Sequence, residues 1–358
     1  MTPQENIPLA RYTTLGVGGP ARWLAEGTDE ATILAAVRFA REQRAPFFLL
    51  GGGSNVLVSD EGFHGVVIRI ACTRQPELNL ETHTATLNAD AGLEWDAVVR
   101  LAVESNCAGI ECLAGIPGSV GGTPVQNVGA YGQEVSHSIL RVDAIDLEAE
   151  AAVQLIPEQC GFAYRRSIFN TTHAGRYAIT RVQYHLLRDH PPSLAYRDLK
   201  HYFAERANGY PSLAETADAV REIRARKGML LSADDNDSRS AGSFFKNPVV
   251  PAARIPGLAA IADCHPDQVP NFPAGADYAA SDAMVKLSAA WLIELAGFHK
   301  GFTLGRAALS TKHVLAIVNR GNATAAEILA LRDAIIQAVQ ARTAIRLEQE
   351  PVSVGFNR

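Results

Sequence analysis

The chain has 358 residues, 47% of them hydrophobic, a formal net charge of −5 and five cysteines. A chain of this length and apolar content is expected to form about two or three domains. The small acidic excess excludes a protein that coats nucleic acid or rides an anionic membrane, since either needs a broad basic surface. Cys72, Cys107, Cys112, Cys160 and Cys264 include no C-x-x-C pair, so they read as reduced thiols and form neither a disulfide frame nor a metal site. The opening MTPQENIPLARYTT lacks a charged-then-apolar leader, and no apolar run approaches membrane length, so the expected location is the cytoplasm.

The first predicted element is a helix over Asp29 to Arg44, with Ile33, Leu34, Val37 and Ala40 at helical spacing, Thr28 or Asp29 as N-cap and Pro46 as the stop. A buried strand, FFLL, runs into Gly51-Gly52-Gly53-Ser54-Asn55, and strand-like VLV and VVIRI follow. Such a loop suits a phosphate, because glycine lets backbone N–H groups approach where a Cβ would keep them away. It is not a Rossmann fingerprint, which leads directly into a helix, and no G-K-[ST] occurs anywhere.

Leu93 to Gly109 reads as an amphipathic helix closed by Gly109. Next comes a glycine-rich segment, Gly115, Gly118, Gly121, Gly122, Gly129 and Gly132, interleaved with Ser119, Thr123, Gln126 and Asn127. That composition suits either an array of β-turns or a wrap around a large polar cofactor, and two such cradles in one chain favour a dinucleotide. Alternating β segments, RVDAIDL and YAITRVQYHL, follow. By spacing alone Tyr164, Arg165 and Arg166 form an ordinary strand end, and Arg221, Arg224, Arg226 and Lys227 are cations serving a helix C-terminus. A domain boundary is expected near Arg226, and LLSADDNDSRSAG beyond it reads as polar and flexible. In SAGSFFKNPVV, Ser243 sits between a small-residue turn and two phenylalanines. SDAMVKLSAAWLIELAG is then a predicted helix, HVLAIVN a strand, TAAEILALRDAIIQAVQART a helix and AIRLEQEPVSVGF strands. Glu348 and Glu350 fall on one face of such a strand, and alternation does not choose between them.

In this order and spacing, LGGGSNVLVSD, GIPGSVGGTPVQNVGAYGQE, YRRSIF and AGSFFKNPVV resemble the UDP-N-acetylenolpyruvoylglucosamine reductase family over nearly the whole chain, in its subclass with a tyrosine-bearing insert. The resemblance implies an α+β fold. A p-cresol methylhydroxylase-type FAD-binding region of two subdomains, residues 1–72 and 73–225, would precede a substrate domain, residues 226–350, with the tail 351–358 packing on the first subdomain. It implies non-covalent FAD, NADPH as hydride donor and a UDP-sugar enolpyruvyl ether as substrate, handled by a monomer. By the same resemblance hydride would go to the vinyl C3 and Ser243 would protonate C2, while Arg165 would hold the carboxylate and Glu350 would polarise the enol.

FAD would fall to Leu50, Gly51, Gly52, Gly53, Ser54, Asn55, Gly115, Ile116, Pro117, Gly118, Ser119, Gly121, Gly122, Gln126, Asn127, Gly129, Ala130 and Arg224, and the substrate to Tyr164, Tyr196, Lys227, Asn247 and Lys286. The chain departs from the family pattern where KGMLLSADDNDSRS replaces a proline-containing stretch, at Leu295, and at Pro351, which keeps Glu348 in competition with Glu350. The alternatives are another flavin oxidase of the same fold, opposed by the AGSFFKNP block, and a non-catalytic nucleotide-sugar binding protein, opposed by the joint presence of Ser243, Arg165 and Glu350.

Overall fold

A computed structural model of the chain describes residues 2–206, 209–274 and 284–356. The fold is α+β and divides into two compact units, each made of discontinuous stretches. One unit takes the residues up to Ile7, Ala21–Gly53 and Phe63–Arg226, and the other takes Pro8–Pro20, Ser54–Gly62 and the residues from Lys227 onward. Among the described residues no helix is long and apolar enough to cross a membrane.

The chain opens with β1 (Gln4–Pro8), β2 (Pro20–Gly27), α1 (Glu30–Glu42), β3 (Phe47–Leu50), β4 (Val56–Val58) and β5 (Phe63–Ile70). In the first unit these build a sheet of order β1-β2-β5-β3 in which β5 lies parallel to both β2 and β3. α1 starts where a capping box forms: Asp29 Oδ1 accepts from Thr32 N–H at 2.8 Å, and Asp29 N–H donates to Thr32 Oγ1 at 3.0 Å. Its apolar stripe, Ile33, Ala36, Val37 and Ala40, joins Trp23, Val66 and Ile68 in one core.

The rest of the first unit runs through β6 (Glu77–Leu80), β7 (Thr84–Asp90), α2 (Trp95–Glu104), β8 (Cys107–Ala108), β9 (Gly129–Ala130), β10 (Gln133–Glu134), β11 (Ile139–Asp146), β12 (Ala151–Leu155), α3 (Pro157–Cys160), β13 (Tyr177–Arg188), α4 (Arg197–Tyr202) and α5 (Leu213–Arg226). An antiparallel sheet of order β12-β11-β13-β7-β6, with β8 also on β13, carries Val182, Tyr184 and Leu186 at alternate positions into a core shared with Trp95, Val98 and Val99 of α2 and Val220 of α5.

The second unit adds β14 (Val249–Pro251), α6 (Ile255–Ala262), β15 (Asn271–Pro273), β16 (Met284–Leu287), α7 (Ala289–Leu295), β17 (Thr303–Leu304), β18 (Ala307–Leu309), β19 (Ile317–Asn319), α8 (Ala325–Thr343) and β20 (Val352–Val354). Its sheets are β14-β16-β15, β17-β18-β19 and the parallel pair of β20 with β4. The stretch Ser54–Gly62 belongs here for two physical reasons. β4 pairs with the C-terminal strand, and Asp60 caps α8, its two carboxylate oxygens accepting from Ala325 N–H at 2.7 Å and Ala326 N–H at 2.9 Å.

Three expectations from the sequence need correction. The helix expected over Leu93 to Gly109 stops at Glu104. Asn106 takes φ 54°, the left-handed turn that ends it, and Cys107–Ala108 leaves as a strand on β13. The helix expected from SDAMVKL is in its described part a strand, Met284–Leu287, because Ser288 caps a helix that begins only at Ala289; residues 281–283 lie outside the described residues. The segment LLSADDNDSRSAG, read from its composition as polar and flexible, is exposed over Leu231 to Asp234 but is anchored further on, where Asp237, Ser238 and Ser240 are buried.

Candidate active site

In the first unit the core fixes the glycine-rich segment from beneath. Trp95 donates its indole N–H to Leu113 O at 3.1 Å, and the buried Tyr184 hydroxyl bonds Thr123 Oγ1 at 3.0 Å. Asp96, in the first turn of α2, accepts from Gly115 N–H at 2.6 Å, from Arg100 at 2.8 Å and from Arg221 at 3.0 Å. Burial pushes its pKa up, but the bonds from Arg221 and Gly115 and the two arginine charges outweigh that, so the carboxyl is held below the ordinary carboxylate range. Gly115 is held on its other side too, its carbonyl accepting from Arg224 Nε at 3.0 Å. Gly118 O accepts from Trp95 N–H at 3.1 Å and Gly121 N–H donates to Ala91 O at 2.8 Å, leaving Ile116, Pro117 and Gly122 half-buried.

The two glycine loops then touch through backbone. A Cβ on Gly52 would lie 2.6 Å from Gly118 Cα, and one on Gly51 would lie 2.9 Å from Ser119 Oγ. Gly53, at φ 65°, turns the chain out of this contact after Leu50, and Ser54 starts the stretch assigned to the second unit. Ser119 Oγ is buried, and no hydrogen-bond partner for it exists among the described residues. A polar atom so placed is costly unless something else meets it.

Asn127 ties the same segment to the YRRSIF turn. Its amide nitrogen donates to Glu134 at 2.8 Å and Ala163 O at 3.2 Å, and its amide oxygen accepts from Ser136 N–H at 3.1 Å. Ala163 and Arg166 exchange backbone bonds of 3.0 and 3.1 Å, so Tyr164 and Arg165 occupy the tip of a tight turn. Arg165 sits at φ 57°, a conformation that costs a non-glycine residue about 1–3 kcal/mol and is kept only where its surroundings fix it. Here its guanidinium donates to Gly129 O at 2.8 Å and lies 5.4 Å from the Tyr164 ring centroid. Gln126 and Ala130 are half-buried on either side of Asn127 and Gly129. Tyr196, just ahead of α4, meets Tyr131 edge to face at 5.4 Å; burial pushes the Tyr131 hydroxyl up to about 12, so the pair is neutral. Burial likewise pushes the Arg224 guanidinium below its ordinary pKa, against the raising influence of Tyr131 and Asp96.

In the second unit Gly242, at φ 73°, turns the chain, and Ser243 follows it, half-buried. Phe244 N–H donates to Leu315 O at 2.7 Å, while Phe244 O accepts from Glu350 N–H at 2.9 Å, and Phe245 bridges to Gln349. Both phenylalanines are buried with rings 5.7 Å apart. This pairing puts Glu350 opposite the neighbour of Ser243. Lys246 instead pairs with Glu348 at 2.5 Å, and the Glu348 side chain is 72% exposed. Asn55 connects to the same strand, its carbonyl accepting from Val352 N–H at 2.9 Å and its amide reaching Glu350 O at 3.5 Å. Asn247 caps α7, Oδ1 accepting from Ala289 N–H at 2.9 Å. Lys286 is half-buried on the central strand β16, between Val249 and Phe272, and Lys227 is the first residue after α5.

Sequence reasoning overlooked Asp237, since an acidic residue inside DDNDSRS carries no periodic signal and its partners lie more than seventy residues away. The cradle contact and the Ser243–Glu350 neighbourhood are thus each internal to one unit.

Residues 21–152 match the family described as FAD binding domain, and residues 234–354 match the C-terminal domain of UDP-N-acetylenolpyruvoylglucosamine reductase. The chain is 41% identical over 355 residues to the UDP-N-acetylenolpyruvoylglucosamine reductase of Thermobifida fusca, covering 98% of each. It is 44% identical to that of Nocardia farcinica, over 99% of this chain and 90% of the relative. The crystal structure of the Thermus caldophilus reductase superposes with a TM-score of 0.63 at 28% identity, over 99% of this chain and 100% of that one. With this likeness running from end to end and both units matched, the chain belongs to the UDP-N-acetylenolpyruvoylglucosamine reductase family.

Proposed function

We propose that the protein reduces the enolpyruvyl ether of UDP-N-acetylglucosamine enolpyruvate to UDP-N-acetylmuramate, a cytoplasmic step of peptidoglycan-precursor synthesis, acting as a monomer with FAD and NADPH. The observation that carries this reading is the full-length likeness to reductases of that name, at 41% and 44% identity.

The residues present fit FAD. Loops Leu50–Gly53 and Gly115–Gly122 offer backbone where a Cβ on Gly51 or Gly52 would collide, and the buried Ser119 hydroxyl lacks a partner among the described residues. Arg224 and Asp96 would act by fixing Gly115 from both sides, and Gln126, Asn127, Gly129 and Ala130 by extending the cradle. Ser54 and Asn55 would hold the end of the first loop. FAD held there would supply the hydride chemistry that links NADPH to the substrate's vinyl C3.

The chain's own work is then to bind, orient and deliver a proton. Arg165, preset by its turn and by Gly129 O, holds the substrate carboxylate, where negative charge grows as C3 is reduced. Ser243 donates its hydroxyl proton to C2; a serine is a weak acid in water, but C2 next to a carboxylate is then far more basic than an alkoxide. Glu350 polarises the enol, and the buried Phe244 and Phe245 limit water around Ser243. Tyr164, Tyr196, Lys227, Asn247 and Lys286 bind the UDP-sugar, the lysines answering its anionic diphosphate.

The purified protein, supplied with FAD, is expected to oxidise NADPH only when the enolpyruvyl UDP-sugar is present. A folded protein that cannot be loaded with FAD, or NADPH oxidation indifferent to that substrate, overturns the reading. A finer test is Gly52→Ala. Its Cβ meets backbone, which cannot swing aside, so the loops must separate. FAD affinity is expected to fall at least ~10-fold, about 1.4 kcal/mol, with unchanged far-ultraviolet dichroism. An unchanged affinity in a flavin-fluorescence titration removes this loop from the cofactor site.

A further inference from the structure

We propose that Asp237 is a positioning residue for Ser243, fixing the turn that presents its hydroxyl; this rests on the reading of Ser243 as the acid. Asp237 lies six residues ahead of Ser243, in a stretch whose composition is that of a solvated loop, yet it is only 5% exposed. Its carboxylate takes four hydrogen bonds. Oδ2 accepts from Thr311 N–H at 2.7 Å, from Ser310 Oγ at 3.1 Å and from Thr311 Oγ1, and Oδ1 accepts from Arg320 Nε at 3.2 Å. Arg320 also donates to Leu309 O at 3.2 Å. The neighbouring Asp235 strengthens the attachment, pairing with Lys312 at 2.8 Å and accepting from Asp237 N–H at 3.0 Å.

All four bonds go to residues that directly follow β18 or β19. The same two-stranded hairpin and its connecting loop provide the anchors on either side of Ser243. Asn319 N–H donates to Arg239 O at 3.0 Å, Ser240 bridges to Val318, and Phe244 N–H donates to Leu315 O at 2.7 Å. Between Ser240 and Phe244, among the described residues, the one bond within the turn runs from Gly242 N–H to Ser240 Oγ at 3.2 Å. Ser243 is therefore held by its ends; at the first end Ser240 O also accepts from Thr14 Oγ1 at 2.6 Å, and the approach to that end is pinned by Asp237. Removing the carboxylate takes away the acceptor of the fully buried Ser310 hydroxyl and of Arg320 Nε, Arg320 keeping its bond to Leu309 O, so the segment must re-form around them. A displacement of the order of 1 Å far from the chemistry costs up to ~10²-fold in rate. Asp237 acts through the turn, with no contact to the reacting atoms required.

The test uses the full-length, FAD-loaded protein and Asp237→Asn, which keeps the shape and removes the charge, with Arg320→Gln as the second variant should the first fail to fold. Amide exchange in the peptide covering residues 240–247 is expected to speed up ~10-fold or more while the first unit is unchanged. Reoxidation of the reduced protein by the enolpyruvyl substrate is expected to slow about 10- to 100-fold, with reduction by NADPH at its normal rate. Unchanged exchange and reoxidation overturn the proposal. So does a rise in exchange throughout the second unit with both half-reactions slowed together, which is general destabilisation. Ser243→Ala, measured in parallel, separates the two layers. If it reoxidises normally, the reading of Ser243 falls and this inference with it; if it is slow while Asp237→Asn matches the unaltered protein, the inference alone falls.

Discussion

Ser243→Ala is expected to slow protonation of the substrate by about 10²- to 10⁴-fold, roughly 3 to 5 kcal/mol of barrier, while reduction by NADPH continues at its normal rate. The structure makes this a clean substitution. The turn is shaped by Gly242 at φ 73°, by Gly242 N–H on Ser240 Oγ and by Phe244 N–H on Leu315 O, none of which uses the Ser243 hydroxyl. Ser243 is half-buried, so losing its hydroxyl removes little packing, and stability is expected to change by no more than about 0.5 kcal/mol. Stopped-flow separation of the two half-reactions checks it, and equal loss in both denies Ser243 the role of acid. Ser243→Cys, which keeps a donor proton in place, is expected to recover part of the lost rate.

Much of the fold was legible because its signals are local. Asp29, one of the two N-cap candidates, caps α1, and VLV is β4 residue for residue. What was hidden depends on distant pairing. Nothing in the sequence near VSD says that Asp60 will cap a helix 265 positions later, or that β4 will pair with the C-terminal strand. Asp237 was unreadable for the same reason, since its meaning comes from Ser310, Thr311 and Arg320. The glycine loops offered a middle case. Their composition announced a backbone that must come close to something, whereas the structure supplies the partner in part: each loop comes close to the other, at Gly52 and Gly118. For Tyr164 and Arg165, spacing gave only a bland strand end, because a left-handed arginine at the tip of a turn has no marker in sequence.

The two C-terminal glutamates show where alternation fails as an argument, and they yield the second large effect. Glu348 and Glu350 are two apart and would be equivalent on a continuous strand. The pairing that holds them is short: Gln349 bridges Phe245, with Lys246 N–H on Glu348 O and Glu350 N–H on Phe244 O, and β20 begins only at Val352, beyond Pro351. Gln349 is itself fastened, accepting from Arg332 at 2.8 Å and donating to Pro351 O at 2.5 Å and to Ser353 Oγ at 3.1 Å, so Pro351 is built into a fixed bend. The Glu348 side chain is 72% exposed and reaches the half-buried Lys246, whereas Glu350 is half-buried with its N–H on the carbonyl of Phe244, the residue after Ser243. An exposed pair contributes at most about 1 kcal/mol, so Glu348→Gln is expected to leave turnover within a few-fold of normal. On the role proposed for it, Glu350→Gln removes the charge that would polarise the enol, and a loss of about 10²- to 10³-fold in kcat is expected, confined to the step with the enolpyruvyl substrate. Parallel kinetics on the two variants decide the matter, and a larger loss in Glu348→Gln than in Glu350→Gln reverses the assignment.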